Sequence, residues 1–319
     1  MGRFPTGLHL ALGGGGARGF AHVGVLEVLK ANGLRVDSIV GTSSGAIAGA
    51  GFALGYDSAQ MRRRVLEFAA SPLAQDARVR ALVAESEENE CRSLGDRVGR
   101  IFCRGRMFKS LLLGPAVFEA EFFRKIVHFF LPDVAIESMP MPFATVATDV
   151  LTGRSVVIDR GSLREAVVAS CAVPGVTPLV EHQGRMLMDG GVTSLVPVLE
   201  ARARGAKPLL AVCVDRDINS DSLPRQALEL YLRAGDIQGS LLSELTLRQA
   251  DLVLKPGVGS IHWMDFAKGQ LIMDLGHDEA KRRLEQIALL LDGGLRARLG
   301  RAWRAGLHAL EGNSHGGTA

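Results

Sequence analysis

A chain of 319 residues with 47% hydrophobic content can bury a large core, enough for one sizeable α/β domain. Its formal charge of +3 is small for that length and its basic residues are scattered, which argues against a nucleic-acid surface. Four cysteines, Cys91, Cys103, Cys171 and Cys213, are too few and too dispersed for a disulfide framework or a zinc site, so a reducing, cytoplasmic compartment is expected.

The chain opens with Leu8 to Leu12, a strand-like run too short for a signal-peptide core. No later apolar run reaches the roughly 18 residues that a membrane span requires. Met1-Gly2 with Thr6 fits a myristoylation pattern loose enough to arise by chance. The first strand stops at Gly13-Gly14-Gly15-Gly16-Ala17-Arg18-Gly19, and a helix follows in which Phe20, Val23, Leu26 and Leu29 recur at helical spacing before an Asn32-Gly33 stop. Ser38-Ile39-Val40 then read as the end of a second buried strand, followed by the G-x-S-x-G pentapeptide Gly41-Thr42-Ser43-Ser44-Gly45 and a helix of small residues. This is a βαβ unit with a right-handed crossover, and it sets both glycine turns at the carboxyl edge of neighbouring parallel strands, where open α/β sheets bind ligands.

Strand, tight turn and helix is the order of a nucleophile elbow, with glycines flanking a serine in a strained turn. Ser43 then projects at a helix N-terminus, where unpaired N–H groups and the helix dipole favour a developing alkoxide and oxyanion. The first turn also matches G-x-G-x-x-G through Gly14, Gly16 and Gly19, so a dinucleotide fold competes. A ribose-binding acid belongs at the carboxyl end of the second strand. Asp37 lies before that strand, at the wrong end, and Ser43 occupies the right one, which makes an oxyanion hole the better reading of the glycines.

From Asp57 to Asn89 the chain is polar, Arg-rich and helical in character, ending in an acidic turn over Glu85 to Glu90. Seven of the 13 phenylalanines then fall between Phe102 and Phe130. Part of that span reads as a helix starting after Gly114-Pro115 and stopping at Pro132, with Phe118, Phe122, Ile126, Phe129 and Phe130 on one face. Such a face is either ordinary core or, with Phe118 and Phe122, the wall of an acyl site or a lipid-facing surface. Strands are expected over Phe143 to Val150 and Arg154 to Ile158, joined by a hairpin at Leu151-Thr152-Gly153, so the sheet is mixed. A short helix over Leu163 to Ala169 leads to the small-residue and proline turn Ala169 to Pro178. Arg185 to Met188 is a strand ending in Asp189-Gly190-Gly191, which presents a carboxylate from a neighbouring strand or is a plain turn. Pro208 to Val214 and Ala250 to Leu254 read as buried strands, and Pro224 to Gln249 and Gly269 to Leu291 as covering helices.

Taken together, the glycine loop through Arg18 and Gly19, the pentapeptide from Gly41 to Gly45, Ser170 to Pro174, and Asp189-Gly190-Gly191 resemble, in this order, the patatin-like phospholipase family. That family includes plant lipid acyl hydrolases, bacterial relatives and the esterase domain of neuropathy target esterase. The resemblance covers about residues 8 to 215. It implies an α/β fold, a single patatin-like three-layer domain whose mixed, mainly parallel sheet is flanked by helices. Residues 57–140 would be a helical, Phe-rich insert, 216–312 further helices and a strand on the same domain, and 313–319 a disordered tail. It further implies Ser43 as nucleophile, Asp189 as its base, the amides of Gly14, Gly15 and Gly16 as the oxyanion hole, no metal and no cofactor. The expected partner is a lipid or fatty-acyl ester, with peripheral membrane contact and oligomeric state left open. Two rivals stand beside this reading: an α/β-hydrolase triad recruiting His262 or His277, and a non-catalytic lipid-binding or scaffold protein on the same fold. His22 and His182 are expected to be packing or surface residues.

Overall fold

In a computed structural model of the chain, residues 7–86, 114, 116–216, 218, 223 and 227–291 are described. The Met1-Gly2-Thr6 match, Glu87 to Glu90, Cys91, Cys103, Phe102, Phe108, Pro115, Pro224 and the 313–319 tail lie outside those residues.

The elements run β1 (Leu8–Leu12), α1 (Ala21–Ala31), β2 (Val36–Thr42), α2 (Ser44–Ala53), α3 (Ser58–Ala69), α4 (Ala77–Ser86) and α5 (Ala120–Phe130). They continue with β3 (Phe143–Asp149), β4 (Ser155–Ile158), α6 (Leu163–Ser170), β5 (Val180–His182), β6 (Arg185–Asp189), α7 (Gly191–Ser194) and α8 (Val198–Ala203). Last come β7 (Leu209–Val212), α9 (Ala227–Leu247), β8 (Leu252–Leu254) and α10 (Gly269–Arg282). The strands form one sheet whose hydrogen-bonded path is β5-β6-β3-β2-β1-β7-β8, with β4 also on β3. Five neighbours, β3-β2-β1-β7-β8, are parallel, and β4, β5 and β6 run antiparallel to their partners.

The parallel strands are apolar on both faces because both faces are covered. Leu10, Leu12, Ile39, Phe143, Leu210 and Val212 point into a large core shared with α1, α2, α5, α6 and α10. The alternate residues Ala11, Val40, Ala144, Leu209 and Ala211 face a smaller core built with Val198 and Ala201 of α8 and Leu247 of α9. This is the expected α/β architecture of a mixed, mainly parallel sheet flanked by helices.

The register of β3 decides where the chemistry lies. Val146 pairs with both Thr42 and Val157, and Ala147 with both Asp189 and Val156. A strand residue has one partner on each edge, so β2 and β6 share one edge of β3 and meet end to end there, while β4 takes the other. The last residue of β2 and the last of β6 are thereby neighbours.

Three elements differ from the sequence reading. The Phe-rich helix starts at Ala120, so Phe118 precedes it and donates its backbone N–H to the Val176 carbonyl at 2.8 Å. Glu85 and Ser86 belong to α4 rather than to a turn. The strand β5, only three residues long and hairpinned to β6, carries no alternation long enough to be read.

Candidate active site

Ser43 stands between β2 and α2 with φ 52° and ψ −123°, a left-handed conformation that a serine adopts only under constraint. The constraint comes from close packing on both sides of it. A Cβ on Gly41 would lie 2.6 Å from the Ala46 Cα, and one on Gly45 would lie 2.2 Å from the Leu12 carbonyl oxygen. Behind the turn, the Ser43 carbonyl accepts from the Ala46 and Ile47 amides and starts α2. Its own N–H has left the β2 ladder, and Ser170 Oγ accepts it at 2.8 Å while donating to the Val146 carbonyl at 2.5 Å.

Asp189 is held as closely. Its N–H donates to the Ala172 carbonyl at 2.8 Å, its carbonyl accepts from Thr148 Oγ1 at 3.1 Å, and its Oδ1 accepts from the Gly191 N–H at 2.7 Å. Gly190 lets this turn close on β3, since a Cβ there would lie 2.2 Å from the Val146 oxygen. The buried carboxyl lies beside the Ser43 side chain. Desolvation raises its pKa to about 6, against the opposing pull of the Gly191 N–H and the Ser43 side chain. Cys171 adjoins the pair, and burial followed by the Asp189 charge pushes its thiol up, so it stays neutral.

The glycine loop lies against Ser43: a Cβ on Gly14 would be 3.2 Å from the Ser43 Cβ. Of the three amides expected to form an oxyanion hole, that of Gly14 is already given to the Leu195 carbonyl at 2.9 Å. The Gly15 and Gly16 amides have no partner among the described residues. Arg18 Nε donates to the Gly15 carbonyl at 3.3 Å, with the guanidinium 4.0 Å from Asp215. This fixes the Gly15–Gly16 peptide plane, so the Gly16 N–H points the opposite way. Gly19 allows Ser44 to approach, and the Trp263 carbonyl closes on Gly16 and accepts from the Ala17 amide at 2.7 Å. Asp37, the dinucleotide candidate, sits at the opposite end of β2, where it accepts from Gly7 and Arg35.

Ser43 opens into a cavity whose walls are almost wholly apolar. Helix α5 contributes Phe123, Ile126, Val127 and Phe130 to it. Phe118 and Phe122 do not line it. They stack on each other at 4.4 Å beneath the Arg78 guanidinium, buried behind the wall they were expected to form.

No histidine lines this cavity among the described residues. His22 is fully buried with Nε2 2.7 Å from the Gly13 carbonyl oxygen, and desolvation lowers its pKa to about 4. His277 faces Glu27 at 3.5 Å, His262 Nδ1 accepts from the Met264 amide, and His182 lies in β5. Among the described residues no group of three His, Cys, Asp or Glu side chains is placed to hold a metal ion, and no helix is long and apolar enough to cross a membrane.

The model of the family described as patatin-like phospholipase matches residues 10–202, well over half of the chain. The chain belongs to the patatin-like phospholipase family. An NTE family protein of Mycobacterium tuberculosis is 34% identical over 206 residues, covering 65% of this chain and 48% of its own length. Human patatin-like phospholipase domain-containing protein 6 is 29% identical over 311 residues, covering 88% of this chain and 20% of its own. The chain thus spans about half the length of the mycobacterial relative and a smaller part of the human one. Among solved structures, VipD of Legionella pneumophila aligns over 91% of this chain and 67% of its own at 14% identity and a TM-score of 0.44. ExoU of Pseudomonas aeruginosa, in complex with SpcU, aligns over 88% and 52% at 18% identity and a TM-score of 0.40.

Within this patatin-like site, sequence reasoning missed Ser170, Thr148 and Trp263. Ser170 was in view as part of a motif. Nothing local marked it as the acceptor for an amide 127 residues away.

Proposed function

We propose that this patatin-like protein is a metal-independent serine acyl hydrolase acting on fatty-acyl esters through a Ser43–Asp189 dyad. The observation that carries the reading is the strained Ser43, set at the N-terminus of α2 in an apolar cavity with its side chain beside the buried Asp189. Asp189 takes the Ser43 proton as Oγ bonds to the ester carbonyl carbon, and the carbonyl electron pair moves onto oxygen. The amides of Gly15 and Gly16, with the positive end of α2, receive that charge. Collapse of the tetrahedral species breaks the bond to the alkoxide, which leaves with the proton from Asp189. Water, deprotonated by Asp189, then releases the acid and restores Ser43. Apolar walls suit the acyl chain, which is what makes lipid esters the favoured substrate class.

A fluorophosphonate ester, which labels only an activated serine, should modify the wild-type protein at Ser43 and leave Ser43→Ala unmodified. Hydrolysis of a p-nitrophenyl ester by Ser43→Ala at the wild-type rate would sink the assignment.

A further inference from the structure

A second cavity lies beside the first, walled on one side by Val168, Ala172 and Val180 and on another by the polar residues Arg124, Thr177 and Glu181. The two have one lining residue in common, Phe123. Helix α5 is the partition. Its residues Phe123, Ile126, Val127 and Phe130, at the spacing of one helical face, line the Ser43 cavity. Ala120 and Arg124, one turn apart on the adjoining face, line the second. Phe123 sits at the seam between these faces. The other part of the wall is the turn at Cys171, Ala172 and Val173, whose outer residues face the Ser43 cavity while Ala172 faces the second.

These two parts of the wall differ in freedom. The turn is pinned through its backbone, because Cys171 N–H donates to the Val167 carbonyl at 3.0 Å, Val173 N–H to the Cys171 carbonyl at 2.9 Å, and Asp189 N–H to the Ala172 carbonyl at 2.8 Å. Moving it would move the carboxylate. Phe123 is a half-buried side chain held by edge contacts to Phe118 and Phe122, with centroids 6.3 and 5.5 Å away. Its two torsions are its own.

We infer that Phe123 is the specificity-determining residue for acyl-chain length: its ring closes off the second cavity, and its size and rotamer set how long a chain the Ser43 site accepts. The inference rests on the acyl-hydrolase reading and deepens it, since it names which substrates the same site prefers.

The test compares wild-type, Phe123→Ala, Phe123→Trp and Phe143→Ala proteins as full chains, reading the ratio of kcat/KM for p-nitrophenyl palmitate to that for the octanoate. Phe123→Ala joins the two cavities and is expected to raise this ratio at least about tenfold, since a few methylenes gained against the apolar side of the second cavity, Val168, Ala172 and Val180, are worth that factor. Phe123→Trp lowers it. Phe143→Ala removes an equal buried ring that lines neither cavity, so it lowers the melting temperature and leaves the ratio in place. The proposal is overturned if Phe123→Ala leaves the ratio unmoved, or if Phe143→Ala shifts it as far. A parallel arm measures displacement of a fluorescent fatty acid by octanoate and palmitate in Ser43→Ala protein with and without Phe123→Ala. It reports the wall without turnover, so loss of the hydrolase reading and loss of the wall give different results.

Discussion

Ser170 is the residue on which the geometry of Ser43 depends most directly, although it touches no substrate in the scheme above. Its hydroxyl spans the Ser43 amide and the Val146 carbonyl in a site closed to solvent. Ser170→Ala leaves both backbone groups unpaired, which costs about 1–3 kcal/mol each where water cannot enter. We expect kcat for a p-nitrophenyl ester to fall at least about tenfold with KM little changed, and Ser170→Thr, which restores the hydroxyl, to recover more of kcat than of stability. Equal recovery of both would mark Ser170 as structural only. Asp189→Asn is expected to lower kcat at least about a thousandfold, roughly 4 kcal/mol of barrier. No single alanine change among His128, His182, His262 and His277 should cost more than about tenfold. As the proposed base, Asp189 must be ionised to accept the Ser43 proton, so kcat/KM should rise as pH increases through about 6, where burial has moved it. An ordinary imidazole titrates near the same value, which is why the substitutions must accompany the profile. That the turns at Ser43 and Asp189 are tightly packed was legible in the sequence, because their flanking glycines are needed for close approach at those positions. That the Gly14 amide was already committed was not, because its partner, Leu195, is 181 residues distant and no local pattern announces it.

Among elements, the pair α1 and α10 shows how a rule of helix propensity reverses sign in context. Glycine inside a helix ordinarily costs about 1 kcal/mol relative to alanine. Here a Cβ on Gly24 would lie 2.0 Å from the Met273 carbonyl oxygen, and one on Gly276 2.0 Å from that of Ala21, so the two backbones are in contact. Gly24→Ala or Gly276→Ala should therefore destabilise by about 1–3 kcal/mol or more through overpacking, read as a lower urea midpoint at unchanged slope. Gly33→Ala makes a useful contrast, because its space is open and only its φ of 65° opposes the change. The helices themselves were readable from their apolar spacing, but which helix meets which was not, since a glycine that admits a neighbour looks the same as one that merely interrupts. The same limit explains the phenylalanines. Periodicity placed Phe122, Ile126 and Phe130 together, and three of the residues that line the cavity, Phe123, Ile126 and Val127, lie on an arc of the helix that only the position of Ser43 could single out.

At the scale of the whole molecule, two buried groups oppose each other in their dependence on pH. Asp189 has a folded pKa of about 6 against 3.8 in the unfolded chain, so its ionised form costs the fold about 3 kcal/mol at neutral pH, and stability returns as pH falls through 6 towards 3.8. His22 falls from 6.5 to about 4 on folding, so below 6.5 the unfolded chain binds a proton that the fold refuses, and a similar amount of stability is lost by pH 4. His9, also lowered chiefly by burial, adds to that loss. Wild-type stability should hence change little between pH 6 and 4 from these groups. Asp189→Asn removes the gain and leaves the loss, so the variant should be more stable than wild type at pH 7.5 and fall away more steeply on acidification, as urea midpoints at pH 7.5, 6 and 4 would show. A wild-type curve as steep as the variant's would contradict the pairing. The mixed sheet was legible from the hairpin at Leu151 to Gly153, whereas the place of β7 between β1 and β8 was not, because strand order leaves no mark on local periodicity. That order also runs against the order of synthesis. Ser43 is synthesised well before the residues that finish the loop beside it, which waits for Val212 to accept from Gly13, Asp215 to face Arg18 and Trp263 to close on Gly16. A growing chain therefore carries Ser43 for a long stretch of translation without a finished site around it, so under the proposed function its neighbours on the polysome are spared hydrolysis until Trp263 has been made.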